Sequence, residues 1–88
     1  MTENRYTVTL TSAAAKRLRK LDRDAQRRLA KALDRLATDP RPAGVKALRG
    51  RDGLRLRVGD YRVLYRIVDD VLEVLVMKVG HRRDVYDR

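Results

Sequence analysis

The 88 residues suffice for one small domain (residues 1–88), and 22 Lys+Arg against 12 Asp+Glu leave a net charge of +10 that calls for a polyanionic partner, nucleic acid or an acidic protein. The absence of cysteine excludes disulfides and thiolate chemistry, and a single histidine without cysteine cannot build an ordinary zinc site. The longest apolar run, Val71–Val79, is broken by Glu73 and Lys78 and falls far short of a membrane span, so the expectation is a soluble, cytoplasmic protein without a membrane partner.

Arg5–Leu10 alternates and predicts a first strand, with Tyr6, Val8 and Leu10 facing inward. Thr11-Ser12 offers a helix N-cap, followed by Ala14, Leu18 and Leu21 at helical spacing. Asp22 caps a second, longer helix reaching about Ala37, whose apolar stripe is Ala25, Leu29, Ala32, Leu33 and Leu36. Asp39-Pro-Arg-Pro42 ends it, because proline cannot continue a helix. Ala43–Gly53 reads as a loop whose Leu48 tucks onto the core.

Leu54–Ile67 alternates on both sides of Gly59-Asp60, which is a good two-residue hairpin turn. That turn sets Val58 opposite Tyr61, Arg57 opposite Arg62 and Leu54 opposite Tyr65. One face then carries Leu54, Leu56, Val58, Tyr61, Val63, Tyr65 and Ile67, and the other Arg55, Arg57, Arg62 and Arg66. Like charges directly opposite destabilise a ladder, so an anionic ligand on that face would explain the arrangement. Asp69-Asp70 reads as a second tight turn that places Arg66 opposite Glu73, and Leu72–Val79 as a strand central to the sheet. The pattern predicts an α+β fold, two N-terminal helices packed on one face of a four-stranded, mainly antiparallel sheet in the order β-α-α-β-β-β.

No Gly-rich phosphate loop, paired carboxylates or metal-ligand cluster appears, and no cofactor or metal is expected. What remains is the arginine face and a tail bearing His81, Arg82, Arg83 and Tyr86. Taken singly, each of these arginines reads as the solvated side of a sheet; the cluster is what suggests a site.

Thr11-Ser-Ala-Ala-Ala-Lys-Arg-Leu18, Val45-Lys-Ala-Leu-Arg-Gly50, Arg55-Leu-Arg-Val-Gly-Asp-Tyr-Arg-Val-Leu-Tyr65 and Val79-Gly-His-Arg-Arg-Asp-Val-Tyr86 together resemble the RelE branch of the RelE/ParE toxin superfamily. The resemblance covers nearly the whole chain. It implies the toxin of a toxin–antitoxin pair, an endoribonuclease that cuts messenger RNA in the ribosomal A site by metal-independent attack of a ribose 2′-OH. Its implied partners are the ribosome, messenger RNA and a cognate antitoxin with an acidic segment. Arg62 falls on the arginine expected to hold the scissile phosphate. Arg82 falls on the one expected to stabilise the transition state and leaving oxygen, and Tyr86 on the tyrosine expected to orient the base and assist 2′-OH activation.

Arg55 and Arg57 stand where members of this branch carry lysines. Arginine stays protonated, so another proton donor is required, or charge stabilisation acts alone. His81, the one group titrating near neutrality, is the expected candidate for proton transfer. Arg55, Arg57, Arg66, Arg83 and Lys46 are the expected RNA contacts. The rival readings are a ParE-like inhibitor of DNA gyrase with the same fold, a non-catalytic basic RNA- or DNA-binding module, and a degenerate toxin.

Overall fold

Thr11 and Asp22 decide where the helices begin. In the computed structural model, which describes residues 5–81 and residue 83, α1 spans Ser12–Lys20 and α2 spans Arg23–Thr38. Thr11 Oγ1 accepts the Ala14 N–H at 3.2 Å, and an Asp22 carboxylate oxygen accepts the Ala25 N–H at 2.8 Å. Each cap supplies a partner for an N–H that the first turn leaves orphaned. The α1 C-terminus is tied to α2 by Gln26, whose Nε2 donates to the carbonyls of Leu18 and Arg19, both at 3.1 Å.

The strands are β1 (Thr7–Leu10), β2 (Lys46–Ala47), β3 (Leu54–Val58), β4 (Tyr61–Val68) and β5 (Glu73–His81), in the sheet order β1-β5-β4-β3-β2. The sheet therefore has five strands and is mixed, a correction to the four mainly antiparallel strands expected. The added strand, β2, is two residues long and pairs Lys46 with Arg55 and Ala47 with Leu54. A segment that short carries no periodicity to distinguish it from a loop. At the other edge β1 runs parallel to β5, with Val8 opposite Val74 and Leu10 opposite Val76. The two helices carry the chain from β1 to the far edge at β2, and the strands β2 to β5 return it beside β1.

The Gly59-Asp60 hairpin has the expected register, including Arg57 opposite Arg62. Gly59 takes φ +59°, as a two-residue loop with glycine first requires. The second turn differs. A 3₁₀ turn at Asp69–Val71 leads into Leu72, at φ 51° in the left-handed region, so Val68 faces Glu73 and Arg66 faces Leu75. The expected Arg66–Glu73 pairing is absent from this register. Leucine rarely adopts that backbone, and Asp69-Asp70 gave no sign that the loop would run two residues longer.

Between Leu64 and Tyr65 the β4–β5 register shifts, leaving Met77 as an extra residue on β5. This bulge lets Val74, Val76 and Val79 all enter the core under the helices, where strict alternation would have turned one of them away. With Leu29, Leu36, Val63 and Tyr65 they form the main core. On the opposite face Leu48, Leu64 and Met77 make a second, smaller cluster. Leu48 thus packs as expected onto apolar residues, but on the side away from the helices. Gly53, at φ +134°, runs beneath this cluster: a Cβ there would sit 2.8 Å from Leu48 Cδ1 and 3.1 Å from the Tyr65 carbonyl oxygen.

Candidate functional site

The period of two along β3 and β4 puts Arg55, Arg57 and Arg62 on the face that the helices leave uncovered. The short β2 brings Lys46 opposite Arg55 on the same face. Lys46, Arg55, Arg57 and Arg62 line one cavity of about 140 Å³, together with Gly44. With roughly 30 Å³ per water, that is room for about four or five water-sized groups, the size of a phosphate. Among the described residues, no carboxylate lines it. Arg57 Nε donates to the Gly59 carbonyl at 3.3 Å, which steadies the side chain against the hairpin turn. Among the described residues, neither Arg57 nor Arg62 forms an ion pair with an acidic side chain. Four cations from three neighbouring strands, set by one ladder, form an arrangement suited to an anion.

Arg57 also borders a second, larger groove of about 710 Å³ between α2 and β3. Leu36, Leu56 and Val58 give it an apolar floor, with Lys31 and Arg35 on the helix side. Lys31 and Arg35 thus border the same groove as Arg57, with Asp39 also in its lining, where the sequence suggested only a solvated helix face.

Two expected members stand apart. Arg66 is separated from Arg62 by Leu64, about 13 Å along the strand. It lines a different depression with Arg41, Asp52 and Gly53. His81 ends β5 opposite Tyr61, and the two rings meet edge to face at 5.8 Å and 77°. Tyr61 packs against the helix-side core, so His81 projects to the face opposite Arg62. Its Nδ1 accepts the Arg83 N–H at 3.2 Å, and Arg83 itself lies in an exposed turn. Arg82 and Tyr86 lie outside the described residues. Among the described residues, no group of three or more His, Asp or Glu side chains is placed to hold a metal, and no helix is long and apolar enough to cross a membrane.

At the far end of the sheet Arg41 donates to both Asp69 carboxylate oxygens, at 3.0 and 3.4 Å, and Tyr6 adds a hydrogen bond at 2.7 Å. These donors, Arg41 first and Tyr6 second, hold the Asp69 carboxyl below its ordinary range. This clip joins β1, the loop after α2 and the β4–β5 turn. It satisfies its own charges.

The sequence pattern of the family described as ParE toxin of type II toxin–antitoxin systems (parDE) matches residues 8–86. The chain belongs to this family, within the RelE/ParE superfamily. It is 31% identical to a RelE-like toxin protein of Escherichia coli, over 94% of this chain and 92% of that one. It is 35% identical to the toxin RelG of Mycobacterium tuberculosis, over 94% and 98% of the two chains. Among solved structures, a chain of the toxin–antitoxin complex RelBE2 from Mycobacterium tuberculosis superposes with a TM-score of 0.82 at 31% identity, covering 94% of this chain and 98% of that chain. The protein is a RelE-like toxin of a type II toxin–antitoxin system.

Proposed function

We propose that this toxin is an endoribonuclease of the RelE type, which binds messenger RNA in the ribosomal A site and cleaves it by attack of a ribose 2′-OH on the adjacent phosphate. The observation that carries the reading is the cleft itself: Lys46, Arg55, Arg57 and Arg62 line one phosphate-sized cavity with no carboxylate among its described lining residues. Charge developing on the non-bridging oxygens of a phosphorane is what such a cluster stabilises, and donors held by a sheet need little reorganisation to do so. Arg62 and Arg57 hold the scissile phosphate, and Arg55 the flanking strand. The roles of Arg82 in stabilising the leaving oxygen and of Tyr86 in orienting the base rest on the sequence resemblance. The reaction draws its charge stabilisation from guanidinium groups and calls for no metal. The structural relatives solved as toxin–antitoxin complexes support a protein partner of the same kind here, an antitoxin that offers acidic groups to the cationic surface.

The test is brief induction of the toxin followed by mapping of messenger RNA 5′ ends on translated and untranslated copies of one transcript. New ends within codons of the translated copy alone are the expected result. Intact messages accompanied by loss of gyrase supercoiling would establish the ParE-type activity instead. Salt-sensitive RNA binding without cleavage would establish a binding module.

A further inference from the structure

We propose that the Lys46 ammonium is the group that protonates the leaving 5′-oxygen in the cleavage reaction. The inference rests on the ribonuclease reading above and deepens it. A 5′-alkoxide is a poor leaving group, so the step needs a proton as well as positive charge. Guanidinium groups supply charge but do not release protons, which removes Arg55, Arg57 and Arg62 from that role. His81, the sequence's candidate, projects from the opposite face of the sheet with its ring against Tyr61. Tyr61 is on that far face too. Lys78 shares the arginine face, opposite Leu64, but does not line the cavity. Among the described residues, Lys46 is the one lining side chain able to give up a proton, and the β2–β3 pairing sets it directly across from Arg55.

The chemistry balances. The 2′-oxygen forms a bond to phosphorus and its proton leaves to water. The bond from phosphorus to the 5′-oxygen breaks, its electron pair stays on that oxygen, and the Lys46 ammonium gives it a proton. The products are a 2′,3′-cyclic phosphate and a 5′-hydroxyl. The neutral amine recovers its proton from solvent. β2 thereby acquires a reason to exist: two residues of ladder hold one lysine beside three arginines.

The experiment compares two messages on programmed ribosomes, one ordinary and one carrying sulfur in place of the bridging 5′-oxygen at the cleaved bond. A thiolate departs without protonation. Lys46→Arg keeps the charge and removes the transferable proton. It is expected to slow the ordinary message by about 10²–10⁴-fold while cleaving the sulfur-bridged message at the wild-type rate. Lys46→Ala, which loses the charge as well, is expected to slow both. Lys78→Arg should leave both rates unchanged. The proposal is overturned if Lys46→Arg cleaves the ordinary message at the wild-type rate, if it loses both messages equally, or if Lys78→Arg shows the sulfur-rescued loss. Thermal melts confirm that the exposed Lys46 substitutions fold. If the wild-type toxin cleaves neither message, the ribonuclease reading itself fails, whereas a cleaving wild type beside an insensitive Lys46→Arg removes only the role of Lys46.

Discussion

Arg57 and Arg62 face each other across the β3–β4 ladder with no carboxylate beside them among the described residues. The pairing costs the folded chain up to roughly 1 kcal/mol, because like charges opposite on a ladder repel. Function and stability are therefore expected to move in opposite directions at this pair. Arg62→Ala should lower cleavage by about 10²–10³-fold, the usual loss for one preorganised donor. It should leave the urea midpoint unchanged or slightly raised. Primer extension and equilibrium unfolding on the same preparation check both halves. A variant that unfolds more readily and cleaves normally would show these arginines to be surface supports. The pair was legible in the sequence because Gly59-Asp60 fixes the register, and one turn dictates every cross-strand partner above it. The separation of Arg66 from this cluster was not legible. It depends on Leu64, an apolar residue on the polar face, finding Leu48 and Met77 from distant segments.

At the level of elements, what sequence periodicity could read was what repeats over several residues: both helices, their caps, the hairpin and the parity of its faces. What escaped it was set by single residues or by contacts distant in sequence. β2 has two residues, Leu72 adopts a backbone its residue type disfavours, and the bulge at Met77 breaks an alternation that was otherwise masked by a continuous apolar run. The bulge and the α1 cap share one side chain. Thr11 Oγ1 donates to the Met77 carbonyl at 2.9 Å while accepting the Ala14 N–H, and the Thr11 N–H donates to the Val76 carbonyl at 2.9 Å. Losing this hydroxyl removes a cap and leaves a bulge carbonyl without its partner. Thr11→Ala is expected to cost about 1–2 kcal/mol, and Thr11→Ser to recover most of it. Denaturant midpoints of the three proteins decide the matter. An equal loss in both variants would assign the effect to the threonine methyl group instead.

For the whole molecule, a net charge of +10 makes the folded state repel itself, so the polar contacts made by its core side chains carry weight out of proportion to their number. Tyr65 holds one of them. Its side chain is fully buried between sheet and helices, and its hydroxyl donates to the Pro40 carbonyl at 2.7 Å, fastening β4 to the loop that follows α2. Burial pushes the phenol from its ordinary value of 10.0 up to about 12, with Arg41 pulling it down and Asp39 adding to the rise. A raised value in the folded state means that folding holds this proton more tightly than the unfolded chain does. Below pH 10 the phenol is protonated in both states, and its contribution is fully present. Between pH 10 and 12 the unfolded chain ionises first, so stability is lost as the pH rises through that window. The loss attributable to this one group is of the order of 2–3 kcal/mol. Tyr65→Phe separates the two effects. At neutral pH it forfeits the bond to Pro40, about 0.5–1.5 kcal/mol, and is the less stable protein. Above pH 10 it has no phenol to ionise, so its stability falls less steeply and the two curves converge. Urea midpoints measured from neutrality into the alkaline window follow both proteins. Parallel curves throughout would mean that the buried phenol takes no part in the alkaline loss of stability.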